Sequence, residues 1–273
     1  MRQIAPIRIL VAAALGAALA RGAVSALRAA VPPAAEPSTA RQIMEEVDRW
    51  HRTESQYSEG LLSVEEKGKI RKKAWRSWRT GWGATARNLV QFLDPPEVKG
   101  VSLLTVGHAD RPDEQWFYTP AIDRDRRIAP QEKSTKFLGT HFTYEDMEER
   151  DLDDYQYALL DEQPVDGAPC WRVEATPTRQ KESQYSKLIF WVRKDAFTSV
   201  RIEGFEGSTP RRNFRGSDLA EVEGVQTVRR WEVTDSKREG KTTLDLRDVH
   251  YRAPVDAGIF TIQGLRVFHN PPR

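Results

Sequence analysis

Cysteine is all but missing from this chain. Its 273 residues hold one, Cys170, so no intrachain disulfide forms. Within the strand-like run Cys170-Trp171-Arg172-Val173-Glu174 the thiol reads as a buried structural group, because a nucleophile needs a positioned base and no residue pattern points to one. Histidine is scarce and scattered: His51, His108, His141, His250 and His269 form no HxH, HExxH or HxxxH set, which argues against zinc. A GxSxG elbow, a GxxxxGK(S/T) phosphate loop and a GxGxxG fingerprint are all absent. The acidic run from Glu145 to Asp154 lacks the glycine and ligand spacing of a calcium loop and reads as a surface loop or a turn of helix. These absences leave no catalytic residue, metal or cofactor to expect, and they favour a binding protein over an enzyme.

A charge surplus is also missing. The formal net charge is +2, and residues 1–35 carry Arg2, Arg8, Arg21 and Arg28 with no acid, so the remainder is close to neutral. A nucleic-acid binder shows a basic domain or stripe instead. Arg2 and Arg8 precede the apolar run Ile9–Ala20, followed by small-residue sites at Ala20 and Ala26, the pattern of an export signal cut after either residue. The apolar run is shorter than the ~20 residues of a membrane span. The expected organisation is a signal peptide (1–26), a flexible Ala/Pro-rich arm (27–38) and one exported domain (39–273).

What the chain does have is strand pattern. Thr39 and Gln42 stand at capping-box spacing, and Ile43, Val47 and Trp50 share one helical face, so 39–52 is expected to be an amphipathic helix. Beyond it come short runs rich in aromatic and branched residues, separated by turn chemistry. Leu61–Glu66 and Lys69–Trp82 read as a hairpin about Lys67-Gly68. Further strands fall between Leu89 and Asp146, then at Ala168–Ala175, Ser186–Lys194, Thr198–Phe205, Val225–Thr234 and Thr242–Tyr251. Leu188-Ile189-Phe190-Trp191-Val192 is apolar on both parities, so both faces of that strand should be covered. A long antiparallel sheet of this kind must bury one face. Residues two apart share a face. Trp78, Phe92, Leu103, Trp116, Tyr118, Trp191 and Trp231 are the expected lining of a concave interior, with Ile43, Val47 and Trp50 on a covering helix.

An ordered set of motifs carries a resemblance. It comprises Phe92-x-x-Pro95 to Gly100 with Ser102-Leu103-Leu104, Trp116-x-Tyr118-x-Pro120 with Arg124, Arg126 and Arg127, and Phe137-Leu138-Gly139. It continues through Phe142-x-Tyr144-Glu145-Asp146, Tyr155 to Leu160, Tyr185 and Trp191-Val192-x-Lys194 to Asp256 and Phe260. Across roughly 40–265 the chain resembles the outer-membrane lipoprotein-sorting proteins of the LolA-like superfamily. The resemblance implies a mainly β fold: an incomplete antiparallel β-barrel wrapping an apolar cavity, with an N-terminal helix and short helices as lid. It implies a monomeric periplasmic carrier of lipid or lipoprotein acyl chains, often beside an inner-membrane exporter of the resistance–nodulation–division type. It carries over no catalytic residue. An accessory exporter subunit holding no ligand, and an enzyme acting on envelope lipid or glycan, are the rival readings. For Arg124, Arg126 and Arg127, pairing with Glu145 and Asp146 or plain solvation stands beside recognition of a phosphate or of an acidic site on a membrane complex.

Overall fold

A computed structural model describes residues 37–272; the expected leader and the arm up to residue 36 lie outside the described residues. Helix α1 spans Ala40–His51. It starts where it does because Thr39 and Gln42 satisfy each other: the Gln42 N–H donates to Thr39 Oγ1 at 3.2 Å and the Thr39 N–H to Gln42 Oε1 at 3.1 Å. Two of the orphan donors of the first turn are thereby bonded. Ala40, Ile43 and Met44 form the buried face.

Six strands follow as a meander: β1 (Ser55–Glu66), β2 (Lys69–Thr80), β3 (Arg87–Asp94), β4 (Ser102–Val106), β5 (Glu114–Thr119) and β6 (Arg124–Arg127). A second meander comprises β7 (Tyr155–Glu162), β8 (Cys170–Pro177), β9 (Lys187–Arg193), β10 (Thr198–Glu206), β11 (Thr209–Val222), β12 (Val225–Asp235) and β13 (Arg238–Tyr251). The two join through antiparallel pairing of β1 with β13, for example Tyr57 opposite His250 and Leu62 opposite Leu244. The result is one 13-stranded antiparallel sheet in the order β6-β5-β4-β3-β2-β1-β13-β12-β11-β10-β9-β8-β7. Its edges, β6 and β7, do not pair with each other among the described strands, so the barrel is incomplete, as the sequence leads one to expect. A short C-terminal helix, α2 (Ile262–Leu265), closes the chain.

Strand alternation sorts the apolar residues into layers. On β3 to β5, Val90, Phe92, Leu103 and Phe117 belong to the large central cluster, whereas Leu89, Leu104, Trp116 and Tyr118 belong to a second cluster on the other side. The C-terminal segment covers that second side with Ala253, Ile259, Phe260 and Leu265. This segment runs on through α2 and covers the apolar residues of that sheet face. On β9, Leu188, Phe190 and Val192 enter the central cluster and Ile189 and Trp191 a third one with Cys170, Val200 and Val228. Both faces of that strand are covered.

The central face is roofed by α1 and by the connection 128–154, which runs from the last strand of the first meander to the first strand of the second. Its rings bridge both halves: Phe137 packs on Phe92 of β3 (5.8 Å between centroids), Phe142 on Phe214 of β11 (6.1 Å) and Tyr144 on Phe117 of β5 (6.2 Å). The acidic run inside this connection is not the surface loop that composition suggests. Glu145 and Glu148 are buried, and the Asp146 side chain is 1% exposed. The run instead takes two short 3-10 turns, at Glu145–Met147 and Leu152–Asp154, the turn of helix that was the other expectation.

Candidate functional site

The apolar interior is where the sheet, α1 and the connection meet. Ile43 and Met44 of α1 press on the central cluster, and Val47 packs at its margin. Trp50, the third residue expected on this face, is 48% exposed and stacks on Phe197 at 6.0 Å. Beneath the helix and the connection lie Leu62, Trp75, Val90, Phe92, Leu103, Val173, Phe190, Val192 and Val233. Of the seven residues expected to line a concave interior, Phe92 and Leu103 face this interior. Trp231 is half-buried and touches both the central and the third cluster. Trp78, Trp116 and Tyr118 sit on the opposite face under the C-terminal segment, and Trp191 lies in the third cluster, where its Nε1–H donates to Gln163 Oε1 at 3.0 Å. The two sets fall on opposite parities, and parity does not tell which face is concave. Trp75 and Phe137, both in the central cluster, were missed; a parity tied to Phe92 through the pairing of Trp75 with Phe92 would have found the first.

Charged groups pin the roof in place. The Tyr185 hydroxyl donates to Asp146 Oδ1 at 2.7 Å, the Thr143 N–H donates to Asp146 Oδ2 at 2.8 Å, and Arg212 donates to the Tyr185 oxygen at 3.2 Å and to Asp235 at 3.4 Å. Burial, then the Asp146 charge, raises the Tyr185 hydroxyl well above the usual tyrosine range. Gly204 admits this ring because any Cβ there would stand 2.4 Å from Tyr185 Cε1. Phe142-x-Tyr144-Glu145-Asp146 is thus a structural corner. Arg126 pairs with Glu132 at 3.0 Å and Arg127 with Glu114 at 3.1 Å, so the partners of that arginine group are neither Glu145 nor Asp146.

Two adjoining clefts open at the rim where α1 ends. One, of about 390 Å³, is lined by His51, Gln56, Arg79, Trp82, Glu149 and Tyr251 among others. The other, of about 460 Å³, runs from the 108–113 loop to Lys133 and Lys181. They share Asp113 and Glu149 as a wall. Arg79 donates to Gly81 O and to Thr53 Oγ1, both at 2.7 Å, and lies 4.6 Å from the Trp82 ring. Trp82 in turn donates its indole N–H to Asp48 of α1. Glu149 is pushed up to about 7 because burial outweighs the pull of Arg79 and the Gly83 N–H. Burial likewise raises Asp113 and Glu148, the latter against the opposing charges of Lys133, at 2.6 Å, and Lys181. Both clefts carry charged side chains in their walls. Cys170 is buried, with its thiol raised by burial and donating to Ala168 O at 3.4 Å.

An open antiparallel half-barrel roofed by a helix and a crossing segment is a LolA-like architecture, and solved structures share it. The chain superposes on a LolA superfamily protein from Nitrosomonas europaea with a TM-score of 0.67 at 19% identity, covering 83% of this chain and 99% of that one. It superposes on a domain from Vibrio parahaemolyticus named for outer membrane lipoprotein sorting with a TM-score of 0.79 at 20% identity, covering 83% and 98%. A DUF1329 family protein from Desulfovibrio piger gives a TM-score of 0.80 at 26% identity, covering 83% and 97%. A family model described as that of an uncharacterized protein matches residues 84–267, more than half of the chain, and the chain belongs to that family. No curated protein matches the sequence. No described helix is long and apolar enough to cross a membrane.

Proposed function

We propose that this protein is a periplasmic carrier or binding protein that takes an acyl chain of a lipid or lipoprotein into the interior beneath α1. The observation that carries the reading is the apolar face of Leu62, Trp75, Phe92, Leu103, Phe190 and Val233, roofed by a separate helix rather than by another sheet. In the closed form the chain's own side chains fill this space, so a ligand must displace the roof. Burying Ile43, Met44 and Val47 contributes roughly 1.5–3 kcal/mol each. A chain of about fourteen methylenes gains about 11 kcal/mol at ~0.8 per CH₂. The gain from burying such a chain is thus of the same order as the burial α1 gives up, so an acyl chain of this length competes with the helix for the space. Phe92 and Leu103 serve as lining, with Ile43 and Val47 as lid. The protein works in envelope lipid export or sorting, beside an inner-membrane exporter of the resistance–nodulation–division type.

Organic extracts of gently purified protein, read by mass spectrometry, should contain acyl lipid. Displacement of a fluorescent fatty acid should be abolished by Phe92→Asp and tightened or accelerated by Ile43→Ala, which loosens the lid. Empty extracts together with no fatty-acid binding in the folded wild type would overturn the reading. A second reading, an accessory subunit that holds no ligand, is favoured by one observation: Phe137, Phe142 and Tyr144 already occupy the interior. That same empty result would select it.

A further inference from the structure

The tip of the β1–β2 hairpin has no role in the interior or in the rim clefts. From Lys67 to Lys72 every residue is exposed, so the tip stands clear of the packed layers. Ile70 is 61% exposed there. A β-branched residue this exposed at a strand end, opposite Glu65 on β1, gains little from folding. Around it stand Lys67, Lys69 and Lys72, and Lys136 lies in the adjacent connection; none of the four makes an ion pair with a described residue. Arg71 reaches Glu66 at 3.2 Å, and Glu66 is also held by Arg238 at 2.9 Å. Glu65 and Glu239 are the acids left over, fewer than the free lysines. Just inside the tip, the Lys73 Nζ donates to Leu138 O at 2.9 Å, and its pKa is lowered first by burial and then by Arg71 and Arg238.

We infer that this hairpin tip docks the protein on the surface of an anionic bilayer, with Ile70 entering the headgroup layer and Lys67, Lys69 and Lys72 on the lipid phosphates. The chemistry fits a bilayer better than a protein. One apolar side chain among long cationic ones offers far less than the ~1,000 Å² of a stable protein interface. Lysine stems instead lie along an apolar layer while their ammonium groups stay in the polar one. The attraction acts within a Debye length and contributes about fivefold per basic residue at the surface. The docking does not depend on what the interior holds.

Flotation of the full protein with vesicles tests it, comparing pure phosphatidylcholine with an equal mixture of phosphatidylcholine and phosphatidylglycerol. Binding to the mixed vesicles only, released by high salt, is the expected result. Lys69→Gln combined with Lys72→Gln should lower partitioning about 25-fold, and Ile70→Ser should lower it at unchanged charge. Circular dichroism will report the same sheet signal, since these side chains touch no core. Equal binding to neutral vesicles, no binding to either, or unchanged binding by the folded lysine variant would each overturn the assignment. Loss of fatty-acid binding would bear on the interior and not on this tip.

Discussion

Single residues in the roof work under opposed demands. Asp146 accepts hydrogen bonds from Tyr185 and Thr143, whereas Glu149 has its pKa raised to about 7 by burial. A carboxyl whose folded pKa lies above its unfolded value binds its proton more tightly in the folded protein. Its contribution to stability is complete below about pH 4.5 and is lost as pH climbs through 7. Glu149→Gln keeps the shape of the protonated acid without the ionisation. Thermal melts should show the variant matching the wild type near pH 4 and exceeding it at pH 8. A lower melting temperature at pH 8 would mean that the attraction of Arg79 outweighs burial. Glu148 and Asp113 shift in the same direction, so each of them also contributes stability that is lost as pH rises.

At the scale of elements, α1 is the clearest case of local sequence deciding local structure. Thr39→Ala removes one half of the reciprocal cap and should cost ~1 kcal/mol, read as earlier hydrogen exchange in residues 40–44 while the sheet amides keep their protection. Loss of protection across the whole sheet would make α1 part of a single cooperative unit instead of a detachable lid. The cap, the helix and most strands were legible because each rests on neighbours in sequence: Thr39 with Gln42, or the five apolar residues of β9. The choice of concave face was not, since Trp116 and Phe117 are equally apolar and only the C-terminal segment, far along the chain, covers the first. Nor was the burial of Glu145, Asp146 and Glu148. Seven acids between Glu145 and Asp154 look solvated until Ser183, Lys133, Lys181 and Tyr185 arrive from distant positions to bond them.

The molecule as a whole is two meanders sharing a seam, with β1 at its middle flanked by β2 and β13. The seam sets an order in time. A chain made from its N-terminus exposes β1's second edge from the moment the first hairpin forms, and nothing covers it until the final strand has been synthesised. Pairings this distant in sequence form slowly, and an open strand edge meanwhile recruits other chains. A version ending at Lys237, without β13 and the C-terminal segment, should therefore form oligomers or precipitate, as followed by light scattering; a monodisperse, sheet-rich monomer would refute this. For the intact protein the consequence is a vulnerable interval whose length is set by the rate of translation. A holding chaperone is needed most during the time between the arrival of Ser55 and the arrival of Tyr251.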